Sequence, residues 1–342
     1  MSTDPPFSGD SDRAATGETD RTLPGESERT TSSETPGESE RTTSSEADRT
    51  TSLEDAVSRI ESGSSIALGL ALEHAIPFAI GHELLRQDVD DLTLIGPISD
   101  LLFDQLVGGG VVSRIRAAWV GNVSAGTGYR FREAVEEGRV SVEDHSNFSI
   151  ALALQAGAMG VPYLPTQSLL GSDILDRSDR FLEERDPFTD ERLVLVPAIE
   201  PDWAVVHVQR ASPFGDAHLW GNSGIVEPAV GAAENVLVTA EEVVEPSVIK
   251  RDPSRTTITR ERVDAVVECP FGAHPSPLAG RYRRDHEVYL EYHARTDTQD
   301  GYDAWAEEWV FDLAEREAYV ERIPDDLGID DPTVAPEVTY GQ

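Results

Sequence analysis

The segment SSIALGLALEHAIPFAIGHELLRQDVDDLTLIG, residues 64–96, holds one complete unit of the pattern that predicts the fold class. SSIALGL at its start and DLTLIG at its end are short apolar runs between turn residues, which is typical of buried strands. PFAIGHELLRQ, residues 77–87, has helical periodicity and begins with Pro77, a residue favoured in the first turn of a helix. The segment is therefore predicted to form a strand, a helix and a second strand parallel to the first.

The same alternation continues on both sides of this unit. LEDAVSRIESG at 53–63 predicts a helix before it. After it come predicted helices at LLFDQLV (101–107), YRFREAVEEG (129–138) and HSNFSIALALQAGAMG (145–160), and predicted strands at SRIRAAWV (113–120), RVSVED (139–144), RLVLVPA (192–198), DWAVVHVQR (202–210), NVLVTAEEVV (235–244) and DAVVECP (264–270). Residues 160–192 show no periodicity, 207–224 predict a β-hairpin, and 284–322 predict helices. This order indicates an α/β protein with a mostly parallel, helix-covered sheet and C-terminal helices.

The charge excludes several classes of partner. The 342 residues contain 28 Lys plus Arg against 64 Asp plus Glu, a formal charge of -36, and Lys250 is the only lysine. Such a chain repels phosphate backbones and anionic lipids, so we expect neither nucleic-acid nor membrane binding. Acidic residues also run through the predicted helices, a composition typical of proteins from a high-salt cytoplasm, where screening weakens their mutual repulsion.

The first 52 residues are predicted to be a disordered acidic tail. PGESERTTSSE occurs at 24–34 and again at 36–46, without an apolar face that repeats could stack. We therefore place one domain at 53–322 and a short C-terminal tail at 323–342. No apolar run resembles a signal peptide or is long enough to span a bilayer, and the protein is predicted to be cytoplasmic.

Sequence signatures of nucleotide and metal sites are missing. GTGYRF at 126–131 lacks the third glycine of a dinucleotide-binding motif, and the glycines at 108–110 precede no Lys-Ser/Thr pair. The eight histidines show neither HxH nor HExxH spacing, and Cys269 is the only cysteine. We predict no metal and no permanently bound cofactor.

The first candidate site is the loop LGLALEHAIP, residues 68–77, between a strand end and a helix start. Parallel α/β sheets bind ligands at such positions, because backbone amides and the helix N-terminus point into the crevice. Gly69, Glu73 and His74 are its candidate residues, and Glu73 or His74 could act as a base. An ordinary exposed polar loop is an equal alternative.

The second candidate site is GVPYLPTQSLLGSDIL, residues 160–175, a long irregular stretch of the kind that often binds ligands. Its polar segment, 166–173, includes the candidates Gln167, Ser168, Gly171 and Ser172. Helix capping by Ser172 or Asp173 is an equal alternative. Weaker candidates follow the second and third predicted strands: Ser99 comes after the second, and Asn122 and Ser124 come after the third.

Several segments, in order, resemble the family of alpha (A-type) subunits of glutaconate CoA-transferases, which are family I enzymes. The resemblance covers about residues 53–322. The segments that carry it are ALALQAGAMGVPYLPTQSLLGSDIL (151–175), RDPFTDERLVLVPAIEPDWAVVHVQRASPFGDAHLWGNSG (185–224), ENVLVTAEEVV (234–244), CPFGAHPSPLAGRY (269–282) and YDAWAEEWVFD (302–312).

The resemblance implies a CoA-transferase fold of the NagB/RpiA-like type and a role as one component of a heteromer. In such enzymes a glutamate carboxylate attacks an acyl-CoA thioester, and a mixed anhydride and then a glutamyl-CoA thioester form. Backbone amides stabilise the developing oxyanion. That glutamate belongs to the beta (B-type) subunit, so the resemblance implies a CoA-transferase partner of this type in a heterotetramer or larger assembly. Coenzyme A thioester and a carboxylic acid are then the substrates.

The loop at 68–77 departs from the family pattern. Gly69 and Pro77 match it, whereas Leu70 and Ala71 replace a second glycine and a phenylalanine. A residue other than glycine limits how closely the backbone approaches a thioester oxygen. Two other functions therefore stay open: a component of a ring-opening hydrolase or lyase that acts on CoA thioesters, and a non-catalytic component that binds them.

Overall fold

The computed structural model describes residues 47–313 and 315–328. The predicted tails at 1–52 and 323–342 lie mostly outside these ranges, and both stay predictions. Within the described part of the first tail, Thr50 forms a parallel bridge with Val266.

Short strands and helices alternate along most of the described chain. The strands are β1 (Ser65–Ala67), β2 (Leu92–Ile98), β3 (Val112–Trp119), β4 (Gly121–Asn122), β5 (Gly126–Thr127), β6 (Ser141–Asp144), β7 (Tyr163–Thr166), β8 (Leu182–Arg185), β9 (Arg192–Pro197), β10 (Trp203–Ala211), β11 (Ala217–His218), β12 (Asn235–Val243), β13 (Thr256–Ile258) and β14 (Ala265–Glu268). The α-helices are α1 (Leu53–Val57), α2 (Phe78–Arg86), α3 (Asp100–Gly108), α4 (Tyr129–Glu136), α5 (Asn147–Met159), α6 (Asp173–Arg177), α7 (Val226–Ala232), α8 (Pro246–Arg251), α9 (His286–Arg295), α10 (Gln299–Ala306) and α11 (Arg316–Val320). A π-helical turn, Glu307–Phe311, follows α10, and 3₁₀ turns lie at Pro253–Arg255, Arg260–Arg262 and Asp325–Leu327.

The main sheet has the order β14-β12-β10-β1-β2-β3-β6, and every neighbouring pair in this order is parallel. The last two residues of β10, Arg210 and Ala211, pair antiparallel with β11, and β11 pairs antiparallel with β13. The predicted hairpin at 207–224 is confirmed by the β10–β11 pair. The predicted α/β class with a mostly parallel sheet is confirmed as well.

Two apolar cores lie on opposite faces of this sheet. Alternate residues of a strand point to opposite faces, so Ile66 packs into one core and Ala67 into the other. The first core receives side chains from α2, α3, α9 and α10, including Trp305 of α10, and Trp309 from the π-helical turn. The second receives side chains from α5 and α7. The result is a three-layer arrangement with helices on both faces of the sheet.

One part of the predicted element order is wrong. Residues 160–192 contain β7, α6 and β8, and β7 and β8 flank β9 in a separate antiparallel sheet. β7 includes Pro165, which disfavours a strand except at a sheet edge, and all four residues of β8 are exposed. Neither strand therefore has the alternation of apolar and polar residues that identifies a half-buried strand.

No helix among the described residues is long and apolar enough to cross a membrane.

Candidate active site

The carboxyl ends of β1 and β2 bring two predicted site residues together. Gly69 follows β1 with a φ of 67°, and a Cβ at this position would lie 3.0 Å from Ser99 Oγ. Ser99 follows β2, is fully buried, and its hydroxyl has no hydrogen-bond partner among the described residues. The close approach favours glycine at position 69, because a side chain there would strain the backbone and press against Ser99.

Backbone strain concentrates near these strand ends. Leu72, Ala75 and Asp100 have positive φ values of 63°, 52° and 51°, and Phe271, after β14, has a φ of 54°. Residues other than glycine rarely adopt this conformation, and such strain clusters at functional sites. In the same loop, Leu70 is buried in the second core, so its side chain serves packing.

Asp100 is a fully buried carboxylic acid at the start of α3. Its Oδ2 accepts a hydrogen bond from the Tyr289 hydroxyl, its Oδ1 accepts one from the Val123 N–H at 3.2 Å, and Arg284 Nη1 lies 3.7 Å from Oδ2. Burial raises the pKa of Asp100 to about 6, although Tyr289 and Arg284 both favour the ionised form. A carboxyl group with this pKa changes protonation state close to neutral pH.

Glu73 joins Asp100 through the same arginine. Arg284 Nη2 donates to Glu73 Oε2 and to the Glu73 carbonyl oxygen, both at 3.1 Å. The Arg284 guanidinium lies over the Tyr289 ring, 5.1 Å from its centroid. The Glu73 side chain is 49% exposed, whereas that of Arg284 is 12% exposed. We call Glu73, Asp100, Arg284 and Tyr289 the carboxylate–arginine cluster.

Asn122, at the end of β4, and Ser124, two residues later, contact α9, the helix that carries Tyr289. The Asn122 side chain donates to the Tyr289 carbonyl oxygen at 2.6 Å and accepts from the Ser124 N–H at 2.8 Å. Ser124 Oγ lies 3.0 Å from His286 Nδ1 at the start of α9. This distance suits proton exchange between a hydroxyl and an imidazole. The structure thus brings both predicted residues to the edge of the cluster.

The position of His74 argues against its predicted role as a base. Its Nε2 accepts from the Ala279 N–H at 2.8 Å, so its Nδ1 carries the proton and donates to the Asn222 carbonyl oxygen at 3.1 Å. Burial lowers the pKa of His74 to about 4. Both ring nitrogens are occupied, and the side chain joins three loops.

The predicted loop at 166–173 lies against the three-stranded antiparallel sheet. Gln167 Nε2 donates to Glu191 Oε2 at 3.0 Å, and the Thr166 hydroxyl donates to Ser168 Oγ at 3.1 Å. Gly171 has a φ of 75° and open space around it. Ser172 caps α6 by accepting from the Leu175 N–H at 3.4 Å. Ser172 is therefore a helix-capping residue, as the alternative interpretation predicted. Ligand binding by the loop stays a prediction.

Sequence reasoning did not identify Asp100, Arg284, Tyr289 or His286. Asp100 follows Ser99 directly, and the rule that selected Ser99 could have selected it as well. The other three reach the site only through the packing of α9 and the residues before it. Tyr289 is 189 positions from Asp100, a separation at which the sequence pattern carries no signal.

A second polar network is buried where β10 and β12 meet the residues that follow β14. His207 Nε2 lies 2.7 Å from Glu241 Oε1, which also accepts from the Tyr282 hydroxyl at 2.8 Å. Glu241 Oε2 accepts from the Phe271 N–H at 2.8 Å. Burial alone raises the pKa of Glu241, but these hydrogen bonds outweigh it and hold the pKa below its ordinary value. The network fixes the strained turn at Phe271.

No group of three or more His, Cys, Asp or Glu side chains within the described ranges could hold a metal ion. The expectation that no cofactor is permanently bound stays a prediction.

Comparison with known proteins gives consistent matches. A family model described as coenzyme A transferase matches residues 50–269. The A-type subunit of glutaconate CoA-transferase from Acidaminococcus fermentans is 34% identical over 80% of this chain and 92% of its own length. The A-type subunit of 3-oxoadipate CoA-transferase from Pseudomonas knackmussii is 33% identical over 76% and 92%. A cholesterol ring-cleaving hydrolase subunit of Rhodococcus jostii is 31% identical over 72% and 86%.

Solved structures agree with these matches. The crystal structure of glutaconate coenzyme A-transferase from Acidaminococcus fermentans superposes with a TM-score of 0.79 at 33% identity, covering 82% of this chain and 96% of the matched chain. The decarboxylase AibA/AibB superposes with a TM-score of 0.66 at 29% identity, covering 75% and 97%.

Proposed function

The chain belongs to the coenzyme A transferase family, and we propose that it is the alpha subunit of a two-subunit enzyme that moves CoA between an acyl-CoA and a carboxylic acid. The observation that supports this most strongly is the similarity to the A-type subunit of glutaconate CoA-transferase over 92% of that protein's length. The second relative, also the A-type subunit of a CoA-transferase, supports the same function.

The nucleophilic glutamate of this reaction belongs, in our proposal, to a partner, the beta subunit of the enzyme. A carboxylate nucleophile must be accessible and free to attack. Within the carboxylate–arginine cluster, Asp100 is fully buried and Glu73 is held in an ion pair by Arg284. Neither side chain is therefore arranged as a nucleophile, and a second chain that contributes one would complete the site.

The proposed chemistry has two exchanges. The partner's carboxylate attacks the thioester carbonyl, a mixed anhydride forms, and CoA leaves as a thiolate. The thiolate then attacks the glutamyl carbonyl of the anhydride, which releases the acid and leaves a glutamyl-CoA thioester. The reverse sequence with a second acid completes the transfer, so no water is consumed.

Borohydride trapping tests this proposal. The chain would be purified with its partners at high salt, incubated with acyl-CoA and reduced, which converts a glutamyl-CoA thioester to a stable alcohol. We expect mass spectrometry to find the reduced glutamate in a co-purifying chain. A reduced Glu73 would contradict the assignment of the nucleophile, and failure of any chain to co-purify would contradict the two-subunit premise.

A ring-opening hydrolase is the second candidate function. It is favoured by the similarity to a component of the ring-cleaving hydrolase and by the Ser124–His286 pair at the edge of the cluster. Water consumption separates the two functions. In H₂¹⁸O, hydrolysis would place one ¹⁸O atom in the carboxylate that it forms. CoA transfer would leave the product acid unlabelled, once any hydrolysis of the anhydride has been subtracted.

A further inference from the structure

A cavity lies at the β3–β6 edge of the main sheet, outside the candidate active site. It has a volume of about 360 Å³ and is enclosed by these two strands, by α6 and by the residues that follow α6. Three arginines line it, Arg114 from β3, Arg177 from α6, and Arg180. Acidic residues outnumber basic ones by 64 to 28 in the whole chain, so this concentration of arginine departs from the general composition.

The cavity and the carboxylate–arginine cluster lie on opposite faces of the sheet. Ile115 and Ala117 of β3 pack into the first core, which also receives α9, so the alternating Arg114 and Arg116 point to the other face. Arg114 also lies five residues before Trp119, the last residue of β3, which is about 16 Å at about 3.3 Å per residue. The cavity is therefore a separate candidate site.

Three guanidinium groups at this cavity share one carboxylate. Glu143 Oε2 lies 3.3 Å from Arg116 Nε, and Glu143 Oε1 lies 3.5 Å from Arg180 Nε. Arg114 forms no side-chain hydrogen bond or ion pair within the part of the chain that the structure describes. Burial lowers the pKa of Arg116, and the positive charges of Arg180 and Arg114 lower it further, against the opposing effect of Glu143. Three positive charges and one negative charge leave a local excess of two positive charges.

The other charged side chains nearby cancel little of this excess. Asp144 follows Glu143 in β6, so its side chain points to the opposite face of the sheet. Arg177 pairs with Asp173 at 3.3 Å, and both of these side chains and Asp179 are exposed. Salt screens exposed charges, with a Debye length of about 3 Å at 1 M, so the half-buried groups dominate the local field at high salt.

A phosphate monoester has the charge and the shape that this arrangement lacks. It carries a charge of about −1.5 to −2 at pH 7 and three acceptor oxygens, whereas a carboxylate would neutralise only one of the two excess charges. Guanidinium groups bind phosphate through two parallel hydrogen bonds. Ser178 lines the same cavity, and its Oγ accepts from the Arg180 N–H at 3.2 Å, which leaves the hydroxyl proton available to a ligand oxygen.

We propose that the cavity lined by Arg114 and Arg180, next to Arg116, binds the phosphate group of a small phosphate monoester. Binding is non-covalent, and Glu143 is the internal carboxylate that competes with the ligand for the arginines. The proposal goes beyond CoA transfer and does not depend on it. Two sources share this ligand chemistry, a free phosphate monoester and the 3′-phosphate of coenzyme A, and the experiment separates them.

Inorganic phosphate is the first probe. It is titrated with the full chain at a high, constant concentration of KCl, and binding is measured as broadening of the phosphate ³¹P NMR signal. We expect phosphate to bind the parent chain, and its affinity to fall about tenfold or more in Arg114→Gln and in Arg180→Gln, as expected for loss of a charge-assisted hydrogen bond. In Glu143→Gln the affinity should rise, by up to about fivefold, because the competing carboxylate is removed.

Two further variants serve as controls. Arg251→Gln removes the same charge from an exposed position on α8 and should leave phosphate affinity unchanged. Arg114→Lys keeps the charge and loses the fork, so we expect an intermediate affinity. Phosphate should also raise the melting temperature of the parent more than KCl of equal ionic strength does, and this difference should vanish in Arg114→Gln. Absence of phosphate binding to the parent, or equal weakening in Arg251→Gln and Arg114→Gln, would overturn the assignment.

Coenzyme A and 3′-dephospho-CoA identify the source of the phosphate. If Arg114→Gln weakens binding of coenzyme A and leaves that of 3′-dephospho-CoA unchanged, the ligand group is the 3′-phosphate of coenzyme A. If Arg114→Gln weakens binding of inorganic phosphate and leaves both of these unchanged, the site takes a free phosphate monoester. Unchanged binding of all three probes in Arg114→Gln and in Arg180→Gln would refute the phosphate site.

Discussion

At the scale of single residues, Asp100 gives the site its own pH dependence. Burial raises its pKa from an ordinary value of 3.8 to about 6 in the folded protein. Between these two values the folded state binds more protons than the unfolded state, so Asp100 lowers the free energy of unfolding as the pH rises. The penalty is complete above about pH 7 and amounts to roughly 3 kcal/mol.

Replacement of Asp100 by asparagine should remove this penalty. Asparagine has nearly the same shape and does not ionise. We compare the free energy of unfolding of Asp100→Asn with that of the parent. The difference should change by about 2–3 kcal/mol in favour of the variant between pH 4 and pH 7. Urea unfolding at a series of pH values measures the shift, and the exposed Asp312→Asn is the control. If the difference in free energy of unfolding between variant and parent stayed constant across this pH range, Asp100 would be ionised throughout it.

His74 should prove structural when its two possible roles are separated by measurement. Loss of its two buried hydrogen bonds and its ring is expected to lower the free energy of unfolding of His74→Ala by about 2–4 kcal/mol. The pH dependence of the complex's kcat should keep its midpoint, because a neutral imidazole with both nitrogens bonded is not the base. His293→Ala, a less buried histidine, is the control. Loss of one limb of the pH profile in His74→Ala would restore the catalytic role.

At the scale of elements, α9 connects the C-terminal helices to the strand ends. Asp285 caps α9 by accepting from the N–H groups of Glu287 and Val288 at 3.1 Å and 3.2 Å, and its other oxygen lies 3.1 Å from His274 Nε2. The helix then places Tyr289 on Asp100. The cap therefore sets the position of part of the carboxylate–arginine cluster.

Removal of this cap should loosen the site as well as the helix. For Asp285→Ala we expect a loss of about 1–3 kcal/mol in the free energy of unfolding, faster hydrogen exchange at the first turn of α9 and weaker binding of acyl-CoA by the complex with its partner. Thr298→Ala removes the cap of α10, where the hydroxyl accepts from the Gly301 N–H at 3.2 Å, and is the matched control. Equal effects of both variants on binding would show that the cap of α9 has no special connection to the site.

The elements differ in how well sequence predicts them. Runs such as DLTLIG and RLVLVPA have an unambiguous strand pattern, and β2 and β9 lie at the predicted positions. The rule that parallel strands end at one edge selects Gly69 and Ser99, and the structure places them in contact. The pattern misses β7 and β8 because edge strands need no apolar alternation, and it misses Arg284 because only tertiary packing brings this residue to Glu73.

At the scale of the whole molecule, acidic residues exceed basic ones by 64 to 28. Salt acts on this excess in two opposing ways. It screens repulsion between carboxylates, and it weakens exposed ion pairs such as Arg192–Glu183, each of which contributes at most about 1 kcal/mol. Because carboxylates without a basic partner are the larger group, relief of repulsion should dominate.

The melting temperature should therefore rise steadily with KCl at pH 7. The Debye length falls from about 30 Å at 0.01 M to about 3 Å at 1 M, so most of the gain is expected within this range. The control is the same titration near the sequence pI of about 4.4, where the net charge and its repulsion vanish. At that pH the melting temperature should rise much less with KCl. Exclusion of salt from the protein surface stabilises the fold at both pH values, whereas screening of repulsion stabilises it only at neutral pH. If the melting temperature rises equally with KCl at the two pH values, the acidic composition does not limit stability. If it falls with KCl at pH 7, ion pairs outweigh the repulsion.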